Sequence, residues 1–277
     1  MQTPQTPPPF GLHVLRPFAF PAVLLAALEW WARTVGQSSD AVAPPSAALL
    51  ALLRATADGS LLAATAFTLG SAAAGLALGS TVGIGLGTVL GLSKRAASMG
   101  FLSIELLRPI PSVALIPLAM LVYGFGFRME ISVVAFATFW PMLILTQAAV
   151  RQVEPRLLEV AQALQLSPRA RFTSIVLPAM AARLFVALRL GVAIALVVAV
   201  TVEIAANPHG MGYALMIAQQ SLEPALMLAW LLWIGLVGWS VNAATLAAQT
   251  WVARRMGAAE DAPPSARYTA TQAGAKA

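Results

Sequence analysis

Glu105, Arg108, Arg189 and Glu203 are ionisable residues that stand inside or at the ends of apolar stretches of this chain. A charge is costly in hydrocarbon, so such residues contact a solute, form an ion or proton path, or snorkel to the interface. Glu105 and Arg108 are three apart and share a helical face, with Lys94 and Arg95 a few turns before them. They read either as a snorkelling pair or as a solute contact. Glu203 follows the uncharged stretch 190–202 and precedes Asn207-Pro208-His209-Gly210, a helix-ending cluster. It either caps a pathway mouth or ends a helix among headgroups. Catalysis has little to draw on, because the chain has no cysteine, only His13 and His209 as histidines, no His-Glu-x-x-His, and only Lys94 and Lys276 as lysines. We expect no catalytic residue, no metal site and no cofactor held by this chain.

The setting of these charges follows from composition. Hydrophobic residues make up 59% of the 277 and charged residues 10%, with a mean hydropathy of +0.79. A soluble domain carries about 25% charged residues, so membrane lipid is the expected solvent. A span needs about 20 apolar residues. Six segments qualify: 17–35, 60–93, 101–123, 131–150, 184–204 and 224–253. The expected fold is therefore an all-α membrane protein with six transmembrane helices and both termini on one side. Residues 1–16 read as a cytoplasmic tail, 17–256 as the transmembrane domain, and 257–277, rich in Ala, Pro, Ser and Thr, as a disordered cytoplasmic tail. Ala41-Val42-Ala43 imitates a signal-peptide cleavage site but lies well beyond the apolar core, so no cleavage is expected.

Lys and Arg distribution sets the orientation. With the termini inside, the inner regions hold Arg16, Lys94, Arg95, Arg151, Arg156, Arg169, Arg171, Arg183, Arg254, Arg255, Arg267 and Lys276, against Arg33, Arg54 and Arg128 outside. This bias accounts for a pI near 10.7 without nucleic acid as a partner. It gives a multi-pass arrangement with both termini cytoplasmic.

Two segments carry backbone signals. In 60–93, Gly75, Gly79, Gly83, Gly87 and Gly91 recur every four residues and form a ridge that another helix can approach closely, as static packing or as a sliding or dimer interface. In 101–123, Pro109, Pro111 and Pro117 each remove an N–H, so this stretch should face a cavity or a partner.

The long polar insert 151–183 is the most informative region. Glu154-Pro155 reads as a helix start, with Leu157, Leu158, Ala161 and Leu164 on one face and Glu159 pointing elsewhere. Ser167-Pro168 reads as a second start, Ser as N-cap and Pro at the first helical position, with Phe172, Ile175 and Val176 as its apolar face before Pro178 stops it. Paired amphipathic helices in a loop imply a docking surface.

These residues resemble the permease subunits of binding-protein-dependent ABC importers. The family's loop signature is Glu-Ala-Ala, three residues, Gly, nine residues, Ile, one residue, Leu-Pro. Here Glu159-Val160-Ala161, Gln165, Ile175, Leu177 and Pro178 keep the spacing, while Val160 replaces an Ala and Gln165 replaces the Gly. If the left-handed geometry of that Gly is kept, Gln costs about 1 kcal/mol or more. Leu107-Arg108-Pro109-Ile110-Pro111 with Pro117-Leu118, Tyr123-Gly124-Phe125-Gly126, Phe139-Trp140-Pro141 and Gly210-Met211-Gly212-Tyr213 resemble the branch that imports taurine, aliphatic sulfonates and nitrate. The resemblance covers roughly 44–250.

The resemblance implies a type I permease with a cytoplasmic coupling-helix loop between helices 4 and 5, working as a homodimer or with a similar second permease. It also implies two separate ABC ATPase subunits, which hold ATP and Mg, and a periplasmic or lipid-anchored solute-binding protein. Glu159, Val160, Ala161, Gln165, Leu166, Ser167, Arg169, Ile175, Leu177 and Pro178 would then couple to the ATPase. Arg108, Pro109, Pro111, Arg189 and Glu203 would be candidates for the translocation path of a small anion. The chain agrees in lacking Gly-x-x-x-x-Gly-Lys-Ser/Thr, which 87–94 approaches but does not match. The alternative is an ion-coupled secondary transporter or channel using Glu105, Arg108, Arg189 and Glu203.

Overall fold

The structure, a computed structural model, describes residues 12–36 and 42–255. Residues 1–11 of the expected N-terminal tail, the expected disordered tail 257–277 and part of the Ala41-Val42-Ala43 triplet lie outside the described residues. Every regular element among the described residues is a helix: α1 (Leu12–Thr34), α2 (Pro45–Ala57), α3 (Ser60–Leu92), α4 (Lys94–Leu107), α5 (Ile116–Tyr123), α6 (Phe127–Arg151), α7 (Pro155–Ala163), α8 (Pro168–Arg171), α9 (Leu177–Ala205), α10 (Gly210–Gln220) and α11 (Pro224–Arg255). Residues 12–16, read as tail, are already helical in α1.

Four helical stretches are long and apolar enough to cross a membrane: Ser60–Leu92, Phe127–Arg151, Arg183–Ala205 and Pro224–Val252. A fifth is added if α4 and Ser112–Tyr123, bent by 81°, form one broken span. Six were expected. The remaining one coincides with α1, which carries Glu29 and Arg33 near its end. At that end Arg33 Nε donates to Glu29 Oε1 at 2.5 Å, and Ser46 donates to the same carboxylate through N (2.9 Å) and Oγ (2.7 Å), fastening α1 to the start of α2. With 13 residues, α2 is too short to span. Asp58 Oδ1 accepts from Ser60 N at 2.9 Å at the start of α3, and hydrogen bonds from Ser60 hold the Asp58 carboxyl below the usual aspartate range.

The expected break in the third segment lies between Arg108 and Pro111. Three prolines within nine residues cannot continue an α-helical ladder, so a short 3₁₀ turn, Ser112–Leu115, restarts the chain in a new direction. At the other end of α4, Ser93 leaves helical geometry and its hydroxyl accepts from Ala96 N at 3.2 Å, a side-chain N-cap.

The chain divides into two compact units. The first comprises Met1–Leu78, Ile110–Ala137 and Ile194–Gly238, and the second Gly79–Pro109, Thr138–Ala193 and Trp239–Ala277. The first is built on Ala72, Met129, Val133, Val134, Ala199 and Val202, from α3, α6 and α9. The second is built on Ala149, Val150, Val153, Val176 and Met180, with Phe172 and Leu184 packed on them.

The glycine ridge of α3 faces α6 in both units. A Cβ at Gly75 would lie 2.6 Å from Val134 Cβ, one at Gly83 2.7 Å from Phe139 O, one at Gly87 2.5 Å from Leu143 O, and one at Gly91 2.6 Å from Val150 Cβ. Gly79 is buried. Contacts this close to backbone leave no room for a side chain, so the ridge packs within the chain. Gly85, off the ridge, has open space around it.

Candidate functional site

The insert begins with Pro155 at the first position of α7, as its sequence indicates, although Glu154 makes no side-chain cap. Ala161 is buried, while Glu159, Val160 and Gln165 are exposed and Leu166 is half-buried. The expected apolar stripe is only partly covered. Leu157 is 42% and Leu164 66% exposed, so within this chain α7 is anchored at its small residue and leaves leucines outward. Helix α7 packs on the π-helical turn Phe172–Val176.

Gln165 has φ 51°, the left-handed region that favours glycine. Leu166 N–H donates to Ala161 O at 3.0 Å and Gln165 N–H to Gln162 O at 2.9 Å, the two bonds of a Schellman motif. The turn geometry that suits glycine is therefore present with a glutamine in it. Ser167 then caps α8, its hydroxyl accepting from Ala170 N at 3.3 Å, with Pro168 in the first position. Arg169 is exposed, Ile175 half-buried, and Leu177 and Pro178 exposed.

One expectation fails here, because Pro178 does not stop the helix. Leu177 N–H bonds Phe172 O, five residues back, and this wider turn moves the preceding carbonyls off the line where the proline ring would meet them. Helix α9 starts within that turn and runs on to Ala205.

The candidate path residues are divided between the two units. In the second unit, Arg108 lies 4.0 Å from Glu105, both about half exposed, on the wall of a cavity of about 890 Å³. Pro109, beside them, is exposed. Arg189 Nε donates to Asn242 Oδ1 at 3.4 Å. In the first unit, Pro111 is exposed and precedes the 3₁₀ turn, and Glu203 is 1% exposed.

Burial rules out the reading of Glu203 as a helix end among headgroups. Its Oε1 accepts from Thr68 Oγ1 at 2.6 Å and its Oε2 from Gly212 N at 2.7 Å. Met211 N–H donates to Thr68 Oγ1 at 3.0 Å. Glu203 thus places a buried carboxyl at the N-terminus of α10, where free N–H groups need acceptors. Glu130, 0% exposed, hydrogen-bonds with Glu203 and accepts from Ser71 Oγ at one oxygen and Asn207 Nδ2, at 2.5 Å, at the other. A Cβ on Gly212 would meet Val200 O and, at 2.8 Å, Glu203 Cβ, so glycine lets the helix end reach the acid. Glu203 also borders a largely apolar cavity of about 580 Å³ lined by Ile116, Pro117, Phe125 and Tyr213.

Sequence reasoning missed Glu130, Thr68 and Ser71. A faint signal existed, since Thr68 and Ser71 extend the register of Gly75 at seven and four residues before it.

Comparison with known proteins gives concordant matches. Residues 75–258 match the family "Binding-protein-dependent transport system inner membrane component". SsuC of Bacillus subtilis, named for aliphatic sulfonates transport, is 27% identical over 218 residues, 79% of either chain. CmpB of Synechococcus elongatus, a bicarbonate transport system permease protein, is 28% identical over 201 residues, 72% of either chain. Among solved structures, an inward-facing MetNI methionine ABC transporter aligns with TM-score 0.58 at 16% identity, covering 67% of this chain and 92% of that one. An amino acid ABC transporter crystallised with histidines aligns at 0.59 and 15% identity, covering 74% and 97%. The fold is that of ABC importer permeases, and the chain belongs to the binding-protein-dependent transport system inner membrane component family.

Proposed function

We propose that this chain is the membrane-spanning subunit of an ATP-driven importer of a small anion such as a sulfonate, taurine or nitrate. The observation that carries this reading is the insert, in which α7, the Schellman turn at Gln165 and the capped α8 present Glu159 and Val160 outward. An exposed helix on a cytoplasmic loop suits the cleft of a separate ATPase. The chain itself binds no nucleotide in this reading. Two ATPase subunits hold ATP and Mg, a second permease copy completes the path, and a periplasmic or lipid-anchored binding protein delivers the solute. Closure of the ATPases would move both inserts and shift the spans between inward- and outward-facing states. The relatives' names, which mention sulfonates, bicarbonate, nitrate and taurine, favour a small anion.

Glu159→Lys tests the coupling role. The variant should insert normally yet lose co-purification with the ATPase, or keep it while losing transport. Parental values of both would sink the proposal.

A second reading, ion-coupled secondary transport, draws on the buried acids Glu130 and Glu203, although Arg108 pairs with Glu105 and Arg189 with Asn242. Proteoliposomes decide between the two, because uptake that needs no ATP and collapses with an ion gradient belongs to the second.

A further inference from the structure

The cavity of about 890 Å³ in the second unit is ringed by cations from separate elements: Lys94 at the start of α4, Arg108 just past its end, Arg151 at the end of α6 and Arg171 at the end of α8. Glu105 is the one carboxylate among the described lining residues, and it pairs with Arg108. No ion pair is recorded for Lys94, Arg151 or Arg171 among the described residues. Four cations around one space repel each other, most strongly where protein and lipid exclude water, so the arrangement favours an anion between them. Guanidinium forks suit the oxygens of phosphate, sulfonate or carboxylate heads. Apart from Ser98 and Gln147 the remaining wall is apolar, with Phe101, Ile104, Ile144 and Val150 among its residues, and so accommodates a hydrocarbon tail behind a charged head.

We propose that this cavity binds an oxyanion with an apolar tail, and that the bound anion ties α4 to the insert through Arg151 and Arg171. The shared chemistry has two sources. An anionic phospholipid head would make the site a lipid clamp, a use that basic pockets at the cytoplasmic ends of helices support. A free organic anion would make it a point where solute is held beside the coupling element, and only this source rests on the transport reading. In both cases the occupant neutralises the charges that otherwise push the insert away from α4, so occupancy should stiffen the insert.

The test uses the full chain, delipidated in a neutral detergent. Native mass spectrometry with added phosphatidylglycerol or phosphatidylcholine reads the lipid arm. Thermal unfolding with sodium butanesulfonate, against sodium chloride at equal ionic strength, reads the free-anion arm. In at least one arm we expect a preference for the oxyanion, at least tenfold weaker in Lys94→Gln/Arg151→Gln and retained in Lys94→Arg. Response to phosphatidylglycerol alone identifies the lipid head, and response to butanesulfonate in lipid-free protein identifies the free anion. If the double variant does not fold, Arg171→Gln is measured in its place and should weaken binding several-fold. Equal responses of parent and charge-removing variant in both arms overturn the proposal, as does a parent with no oxyanion preference. Binding without any sulfonate uptake in reconstituted vesicles counts against the transport reading and leaves the lipid clamp standing.

Discussion

Glu203 holds together three parts of the chain through hydrogen bonds to Thr68 and Gly212 and its contact with Glu130. Glu203→Ala leaves the Thr68 hydroxyl and the Gly212 amide without their acceptor in a dry setting, which should cost about 2–5 kcal/mol, read as a lower unfolding midpoint in detergent. Gln165 makes the opposite case. Gln165→Gly relieves a side chain held at φ 51°, and a gain of up to about 1 kcal/mol is expected, while Gln165→Val should lose at least as much. Both are measured by thermal unfolding of the purified chain. At this scale the sequence was legible where spacing is fixed by a local motif. Ser167-Pro168 announced its cap, which depends on neighbours a few residues away, whereas the left-handed turn at Gln165 was expected only through the Gly that the resembled family has there. Glu130 was not legible, since its partners Ser71 and Asn207 are 59 and 77 residues distant and only tertiary packing unites them.

Among the elements, α3 offers the sharpest contrast. Gly83→Ala places a methyl group against the backbone of α6 and should cost about 1–3 kcal/mol, whereas Gly85→Ala, two residues on and in open space, should gain up to about 1 kcal/mol from helix propensity. Unfolding midpoints that move in the same direction would refute the packing assigned to the ridge. The start of α3 should respond to acid, with the sign set by the depressed Asp58 carboxyl. Its stabilising bond to Ser60 is fully present above the ordinary aspartate range and is lost as pH falls through the lowered folded value. Hydrogen exchange at the Ser60 amide should therefore be steady near neutrality and rise, after correction for intrinsic rates, only under strong acid. Element existence was largely readable from apolar runs and prolines. Two features were not. The short α10 went unread, because its anchor, Glu203, precedes it in sequence but acts from the side, although Asn207-Pro208-His209-Gly210 does follow the end of α9 as expected. Pro178 read as a stop because a π-helical turn has no compositional signal.

For the whole molecule, the balance of Lys and Arg predicts a cytoplasmic C-terminus. A fluorescent protein fused after Ala277 should fluoresce, and alkaline phosphatase fused there should be inactive; the reverse pattern would invert the assigned sidedness. Four spans, or five with the bent pair, were readable from apolar length, and the sixth expected segment coincides with α1. The buried acids bear also on how the protein is made. Ser71 and Thr68 are synthesised before Glu130 and Glu203, and both lie on α3, which carries no charge of its own. During ordered insertion each acid thus enters the bilayer after its hydroxyl donor, so the N-terminal order of α3 gives the chain a way to admit two carboxyl groups one at a time. A circular permutant that delivers α3 last should insert poorly even though its finished fold would contain every one of the same bonds.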